Sequence, residues 1–406
     1  MEPHADVEPR SGPVDYLMAV SESLATVPVI GKRLTPFGTL VAAGLWVGGR
    51  APGIASAAVK GMFMPRRGAC DEQPSKRTDQ VCADALRDIV PAARLDIEWP
   101  TPGRLPPVLS HQRNRRRYLY RVSVSYGDSP EQVLDVWRRP GPLPMSAPVL
   151  VFVPGGGWVH GRRALQGDAL LSHLAERGWL CLSIDYRVSP RNRWPRHLND
   201  VKTAVAWARA NADTFGGDSD FVAVAGASAG GHLAALVGLT AGDCSLQADL
   251  PPEADTSVDA VVGIYGRYDW EDRSTAERRR FMDFIERVVV RKRQDRHREL
   301  FRAASPIART GPHAPPFLVV HGTADTIIPV AQAAAFADRL RATSQAAVGY
   351  LELPGAHHGF DVSDGARTPA AVTAIGIFLG EAHRSYRLGR KKSGTGKHGD
   401  QTARRR

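Results

Sequence analysis

The sequence predicts an α/β fold in which a mostly parallel β-sheet is covered by helices on both faces. Short apolar runs alternate with helix-like segments, and the runs lack the polar alternation of half-exposed strands, which indicates strands that are buried on both faces. No internal repeat is evident. With 406 residues, of which 43% are hydrophobic and 23% charged, the composition is globular and excludes a disordered, collagen-like or multi-span membrane chain.

Eight segments have the composition of strands, and six have that of helices. The predicted strands are 118–124, 132–138, 149–153, 179–184, 221–225, 258–264, 317–320 and 349–353. The predicted helices are 83–89, 164–177, 198–212, 230–239, 330–341 and 369–383. A short link joins the first two strands, so we expect these two to be antiparallel.

Residues 1–110 are predicted to be an N-terminal helical extension of a main domain at 111–386. The apolar segment 34–49 carries no charge but is shorter than the about 20 residues that cross a bilayer. The apolar part of the extension either forms helices that pack on the main domain or forms a membrane-associated hairpin or anchor. Because Glu2, Asp6 and Glu8 stand where a signal peptide has basic residues, we expect no standard signal peptide and a cytoplasmic or membrane-associated location.

Two basic segments carry most of the formal net charge of +11. Residues 266–304 are charged yet place apolar side chains at helical spacing, which predicts either a small cap insert or a solvated helix with a structural apolar face. This stripe comprises Phe281, Phe284, Ile285, Val288 and Val289. The tail 387–406 has little to bury and is predicted to be disordered, so any contact with acidic lipid or nucleic acid there would be non-specific.

The strongest local signal is a serine in a glycine-rich turn. The strand predicted at 221–225 is followed by Gly-Ala-Ser-Ala-Gly at 226–230 and then by an alanine- and leucine-rich helix. Small residues on both sides of Ser228 allow a sharp turn that lifts the hydroxyl out of the sheet, beside the N-terminus of the helix. The alternative is a glycine turn with a packing or phosphate-binding role.

A serine hydroxyl becomes a good nucleophile only beside a base, usually a histidine that a carboxylate orients. Asp325 follows the strand predicted at 317–320, and the pair His357 and His358 follows the strand predicted at 349–353. The carboxyl ends of parallel strands meet at one edge of the sheet, where catalytic groups of such folds gather. We therefore expect a serine, a histidine and a carboxylate to lie together there.

A third loop supplies backbone donors. The strand predicted at 149–153 ends in Pro-Gly-Gly-Gly-Trp at 154–158. Three glycines after a strand let N–H groups turn toward one point, as the oxyanion of a tetrahedral intermediate requires. A plain flexible loop is the alternative.

Six motifs occur in an order that is typical of one family. They are Gly-Gly-Gly-Trp at 155–158, Asp-Tyr-Arg-Val-Ser-Pro at 185–190, the run 195–207 with Asp200, Gly-Ala-Ser-Ala-Gly-Gly-His-Leu-Ala at 226–234, His-Gly-Thr-Ala-Asp at 321–325 and His-Gly-Phe at 358–360. From about residue 149 to 378 the chain resembles the α/β-hydrolase carboxylesterases of the hormone-sensitive-lipase and esterase/lipase type.

The resemblance implies an α/β-hydrolase fold and the hydrolysis of small-molecule or lipid esters without a metal or cofactor. It implies Ser228 as nucleophile, Asp325 as acid, His358 rather than His357 as base, and an oxyanion hole from the N–H groups of Gly155, Gly156 and Ala229. His232, His321 and Asp200 are expected to hold loops and helices in place.

One departure bears on mechanism, because Pro154 stands where the family usually has a histidine. Proline has no N–H and no imidazole, so the bond that holds the family's loop must be replaced or absent. The sequence therefore predicts a serine carboxylesterase or lipase. A serine peptidase or acyl-peptide hydrolase, and a catalytically silent binding module of the same fold, are the alternatives.

Overall fold

An eight-stranded sheet forms the centre of the structure, a computed structural model that describes residues 74–142 and 147–399, with side chains described for 78–142 and 147–390. The strands are β1 (Leu119–Ser125), β2 (Val133–Trp137), β3 (Ala147–Val153), β4 (Leu180–Ile184), β5 (Gly217–Ala227), β6 (Ala260–Ile264), β7 (Phe317–Gly322) and β8 (Val348–Leu353). Every predicted strand is present, with ends shifted by a few residues.

The strand order is β1-β2-β4-β3-β5-β6-β7-β8. The pairs β1–β2 and β2–β4 are antiparallel, and all other neighbouring pairs are parallel. The predicted α/β class is confirmed, as is the antiparallel pairing of the first two strands. Because β3 and β5 to β8 run in the same direction, the loops that follow them emerge at one edge of the sheet.

Helices cover both faces of the sheet. They are α1 (Pro74–Leu86), α2 (Ala92–Leu95), α3 (His111–Tyr118), α4 (Asp168–Glu176), α5 (Arg196–Asn211), α6 (Ala229–Leu239), α7 (Ala276–Phe284), α8 (Arg298–Ala303), α9 (Val330–Thr343), α10 (Phe360–Ser363) and α11 (Thr368–Gly399). One apolar cluster joins the sheet to α5, α6 and α9, and the other joins it to α1, α4 and α11.

Strand β3 shows how the two clusters form. Its alternate side chains Val149, Val151 and Val153 lie in the first cluster, and Leu150 and Phe152 lie in the second. All five are fully buried. Successive side chains of a strand point to opposite faces, so an unbroken apolar run fills a core on each side.

Helix α1 completes the second cluster, although it lies in the part of the chain that we assigned to an extension. It packs against β8, and Cys82, Leu86 and Val90 are buried. The described residues belong to one compact unit. Segment 34–49 and the acidic N-terminus lie outside the described residues, and no helix within the described part is long and apolar enough to cross a membrane.

Helix α11 continues beyond residue 387, where the sequence predicts a disordered tail, and ends at Gly399. Arginine and lysine are good helix formers, and a residue added to an existing helix avoids the cost of a new nucleus. Arg390 donates a hydrogen bond to the Tyr386 hydroxyl at 2.9 Å and pairs with Asp220. Residues 400–406 lie outside the described residues.

The insert predicted at 266–304 lies between β6 and β7. It contains α7, a π-helical segment at Ile285–Val290 and α8. Ile285 and Val289 are fully buried, and Phe281, Phe284 and Val288 are partly buried against the same cluster. The apolar stripe therefore packs on the core of the domain.

Candidate active site

Ser228 lies in a sharp turn between β5 and α6. Its backbone has φ +55° and ψ −118°, values that a non-glycine residue rarely adopts. A Cβ atom on Gly226 would lie 2.2 Å from the Gly230 carbonyl oxygen, and one on Gly230 would lie 2.1 Å from the Val153 carbonyl oxygen. Glycine at both positions lets the chain pack tightly enough to hold Ser228 in this conformation.

The structure brings the serine, histidine and aspartate of the sequence analysis together. The Ser228 Oγ lies 3.0 Å from His358 Nε2, and His358 Nδ1 lies 2.7 Å from Asp325 Oδ2. A carboxylate can only accept, so Nδ1 carries the proton and Nε2 is free to accept the serine proton. The adjacent His357 is exposed, and its Nδ1 lies 2.9 Å from the Ala324 carbonyl oxygen instead.

Asp325 is held as a carboxylate from several sides. Its Oδ1 accepts hydrogen bonds of 2.9 Å from the N–H groups of Ile327 and Ile328. His321 Nε2 lies 3.2 Å from Asp325 Oδ2 and 2.9 Å from the Ile328 carbonyl oxygen. Burial by itself raises the pKa of Asp325, but the hydrogen bonds from His321, His358 and the Ile328 N–H lower this pKa well below its usual value.

Tyr265 and Asp361 lie behind the His358 imidazole, and the sequence analysis did not identify either. The Tyr265 ring centre is 4.6 Å from that of His358, and its hydroxyl donates to the Asp361 carboxylate. Tyr265 has φ +38° and follows directly on β6. The one signal in the sequence was position, because Tyr265 directly follows a strand and Asp361 follows shortly after His358, in α10.

The glycine-rich loop lies against Ser228, since a Cβ atom on Gly155 would lie 3.0 Å from the Ser228 Cβ. The N–H of Gly155 donates to Gln166 Oε1 at 2.7 Å, so this predicted oxyanion donor is already bonded. Within the part of the chain that the structure describes, the N–H groups of Gly156 and Ala229 have no acceptor. Gly156 has φ +132°, and a Cβ atom there would lie 2.2 Å from the His160 carbonyl oxygen.

The chain is similar in sequence to named esterases. A family model described as BD-FAE matches residues 134–340. The chain is 58% identical to Esterase LipC of Mycobacterium tuberculosis (strain ATCC 25618 / H37Rv), over 93% of each protein. It is 42% identical to the Probable carboxylic ester hydrolase LipM of the same strain, over 71% of this chain and 67% of LipM. The chain belongs to the BD-FAE family of α/β-hydrolase esterases.

Among solved structures, the BD-FAE chain is similar to a truncated carbohydrate esterase from gut microbiota. The TM-score is 0.55, and the match covers 65% of this chain and 96% of that chain at 23% identity. At this identity the likeness concerns the fold alone, which is that of an α/β-hydrolase. The family resemblance that the sequence motifs predicted is confirmed.

Trp158, which ends the glycine-rich loop of this BD-FAE chain, is buried under the insert. Its ring lies 5.1 Å from His232, 5.0 Å from Trp270 and 6.0 Å from Phe281 of α7. The Arg267 guanidinium stacks over Phe281 at 3.7 Å and donates to the Ile327 carbonyl at 3.3 Å. The insert therefore contacts both the glycine-rich loop and the loop that carries Asp325.

The residues expected to hold loops in place have structural partners. Asp200 is fully buried and accepts from the Arg187 N–H at 2.8 Å and from Gln132 Nε2 at 2.9 Å. His232 Nε2 lies 2.8 Å from the Ala304 carbonyl oxygen. Asp185 accepts from the Arg163 N–H at 2.7 Å. The bonds of Asp185 and Asp200 brace the loops after β3 and β4, and the bond of His232 joins α6 to the end of the insert.

Two surface grooves lie away from Ser228. One, of about 550 Å³, lies between α1 and β8, and the other, of about 530 Å³, lies between α3, α4 and α11. Neither is lined by a residue of the triad. Across residues 74–142 and 147–399, no group of three or more His, Cys, Asp or Glu side chains is arranged to hold a metal ion.

Proposed function

We propose that this carboxylic-ester hydrolase uses Ser228 as nucleophile, His358 as general base and acid, and Asp325 as the carboxylate that orients the imidazole. The observation that carries the proposal is the continuous hydrogen-bonded relay across 3.0 Å and 2.7 Å at the carboxyl ends of β5, β7 and β8. A serine beside an oriented histidine is the arrangement that activates a hydroxyl at neutral pH.

In the first half of the reaction, Ser228 Oγ attacks the ester carbonyl carbon while its proton passes to His358 Nε2. The carbonyl oxygen becomes an oxyanion, which the N–H groups of Gly156 and Ala229 stabilise. Gly155 can donate only after its bond to Gln166 opens. Collapse of the tetrahedral intermediate breaks the carbon–oxygen bond of the alcohol, which leaves with the proton from His358.

In the second half, His358 takes a proton from water, and the oxygen of that water attacks the acyl carbon. The second tetrahedral intermediate collapses as Ser228 regains a proton from His358, and the carboxylic acid is released. Asp325 remains ionised throughout and stabilises the imidazolium that forms twice in each cycle. Its strongly lowered pKa supports this role.

The substrate is a small-molecule ester, and we include lipid esters in the proposal.

Peripheral membrane contact through the N-terminal segment or the basic tail is a separate proposal, supported by the apolar run 34–49 and by the excess of basic residues after residue 383. Fractionation of cells that produce the chain with and without residues 1–64 tests it. If the chains with and without residues 1–64 had the same membrane-bound fraction, a role for the N-terminal segment would be contradicted.

The nucleophile is tested with the Ser228→Ala variant. A fluorophosphonate should label the wild-type protein and not the variant, because only an activated serine reacts. Hydrolysis of p-nitrophenyl esters should fall by about 10⁴-fold or more, while the melting temperature stays within a few degrees. Retained hydrolysis in the variant would exclude Ser228 as the nucleophile. If the wild-type protein cleaved peptide anilides faster than esters, that result would favour a peptidase.

A further inference from the structure

Gln166 makes two hydrogen bonds to one residue of the glycine-rich loop. Its Oε1 accepts from the Gly155 N–H at 2.7 Å, and its Nε2 donates to the Gly155 carbonyl oxygen at 3.3 Å. With the amide turned the other way, its NH₂ would face the N–H and its oxygen would face the carbonyl. Only the observed orientation satisfies both groups of Gly155.

These bonds set the direction of the Gly156 N–H. The Gly155 carbonyl and the Gly156 N–H belong to the same planar trans peptide, so they point in opposite directions. When Gln166 Nε2 holds the carbonyl on its own side, the Gly156 N–H must point away from Gln166. This is the N–H to which we assign stabilisation of the oxyanion.

The preceding peptide is held at both ends. Its N–H, on Gly155, donates to Gln166, and its carbonyl oxygen, on Pro154, accepts from the Tyr186 hydroxyl at 3.1 Å. Two consecutive peptide planes are thus fixed by side chains. Without such bonds, a run of three glycines has many accessible orientations.

The backbone around Gln166 holds its side chain in this place. Leu165 has φ +63° and Gly167 has φ +70°, and a Cβ atom on Gly167 would lie 2.5 Å from the Phe152 ring. The tight approach to β3 fixes where the chain passes, immediately before α4 begins at Asp168. Gln166 therefore reaches Gly155 from a constrained segment.

We propose that Gln166 is a positioning residue for ester hydrolysis: its side-chain amide fixes the peptide that presents the Gly156 N–H to the oxyanion, in the place of the family histidine that Pro154 replaces. The inference rests on the proposed role of Gly156 in the reaction. Gln166 does not touch the reacting atoms, and its effect passes through the loop.

The test compares Gln166→Leu, which removes both bonds, with Gln166→Glu, which keeps an acceptor for the Gly155 N–H and loses the donor to the carbonyl. Loss of one oxyanion donor lowers kcat by about 10²- to 10³-fold in other enzymes. A misdirected donor should cost less, so we expect kcat of Gln166→Leu to fall about 10- to 100-fold. The KM should stay within about 3-fold, because the ground-state carbonyl gains little from this donor.

The pH dependence of the Gln166→Glu variant separates positioning from simple packing. At low pH a protonated carboxyl offers an O–H donor and an acceptor, as the amide does. The ratio of its kcat to that of the wild type should therefore rise as pH falls from 8 to 5. Arg162→Ala, an exposed position on the same loop, is the control and should leave kcat unchanged.

An unchanged or higher kcat in Gln166→Leu would overturn the proposal, and a higher value would mean that Gln166 obstructs the Gly155 N–H. If this variant does not fold, a pH-independent ratio for Gln166→Glu would also overturn it. Failure of the proposed reaction has a different signature, since the wild-type protein would then not be labelled by a fluorophosphonate.

Discussion

At the scale of single residues, close backbone packing decides whether the serine hydroxyl is exposed to a substrate. Ser228 has a positive φ, and its N–H donates to the Ile264 carbonyl of β6 at 2.9 Å. Gly230 lies directly against the Val153 carbonyl at the end of β3. This contact also limits the distance between Ser228 and the loop that leaves β3. Any side chain at Gly230 would separate the two.

We predict that Gly230→Ala lowers both stability and activity. The added methyl group meets a backbone oxygen that cannot rotate away, so we expect a loss of at least about 1–3 kcal/mol of unfolding free energy. Displacement of the loop by about 1 Å should lower kcat/KM about 10²-fold. Urea unfolding and ester kinetics measure the two effects.

Gly380→Ala is the matched control, because a Cβ atom there has no neighbour within 4 Å. It lies inside α11, where alanine stabilises a helix by about 0.5–1 kcal/mol relative to glycine. This variant should be fully active and slightly more stable. Equal losses in the two variants would show that contact with Val153 is not the cause.

At the scale of elements, the insert between β6 and β7 contacts the loops that follow β3 and β4. The Trp194 N–H donates to the Val289 carbonyl at 3.1 Å, and the Ser189 hydroxyl lies 3.4 Å from the same oxygen. Phe281 of α7 contacts Trp158, which follows the three glycines. The insert therefore braces the loops after β3 and β4 from one side.

We predict that Phe281→Ala weakens catalysis more than Phe284→Ala does. The Phe281 ring contacts Trp158 and has a guanidinium over its face. Together these contacts contribute about 1–2 kcal/mol, which corresponds to roughly 5- to 30-fold in an equilibrium constant. Loss of these contacts should lower kcat/KM by about 5-fold or more and change the preference for acyl chain length.

Phe284 lies in the same helix and is also partly buried. It therefore controls for the loss of a phenyl ring and should affect mainly the melting temperature. Rates on p-nitrophenyl esters of rising chain length measure kcat/KM and the preference for acyl chain length, and thermal unfolding measures the melting temperature. Equal rate profiles for the two variants would contradict a link between the insert and the glycine-rich loop.

At the scale of the whole molecule, buried histidines make stability depend on pH. Burial lowers the pKa of His197 and of His232 to about 3. In the unfolded chain a histidine has a pKa of about 6.5. Between about pH 3 and pH 6.5 the unfolded state therefore binds more protons than the folded state. His197 and His232 thus favour the fold fully above about pH 6.5 and progressively less as pH falls toward 3. Buried Asp185 and Asp361 have raised pKa values and act in the opposite direction.

The His232→Phe variant isolates one of these contributions. Phenylalanine can keep the stacking on Trp270, where the two rings are 4.5 Å apart, but loses the bond to Ala304. The variant should be less stable than the wild type at pH 8. The difference should shrink as pH falls below 6.5, by up to about 1.4 kcal/mol per pH unit.

Urea unfolding at pH 8, 6 and 5 measures this difference. His313→Phe, at an exposed position, provides the control. A difference between wild type and His232→Phe that does not vary with pH would mean that folding does not lower the pKa of His232.

The sequence alone predicted the eight strands, most of the helices, the fold class and the three segments that carry Ser228, Asp325 and His358. These features depend on side-chain periodicity and on glycine next to a strand end, which are local properties. The tertiary structure decided the strand order, with β4 between β2 and β3. It also decided the bond of Gln166 to Gly155 and the contact of Tyr265 with His358. Tyr265 and His358 lie far apart in the sequence, and Gln166 meets Gly155 across a folded loop, so both contacts depend on how the chain packs and no local pattern encodes them.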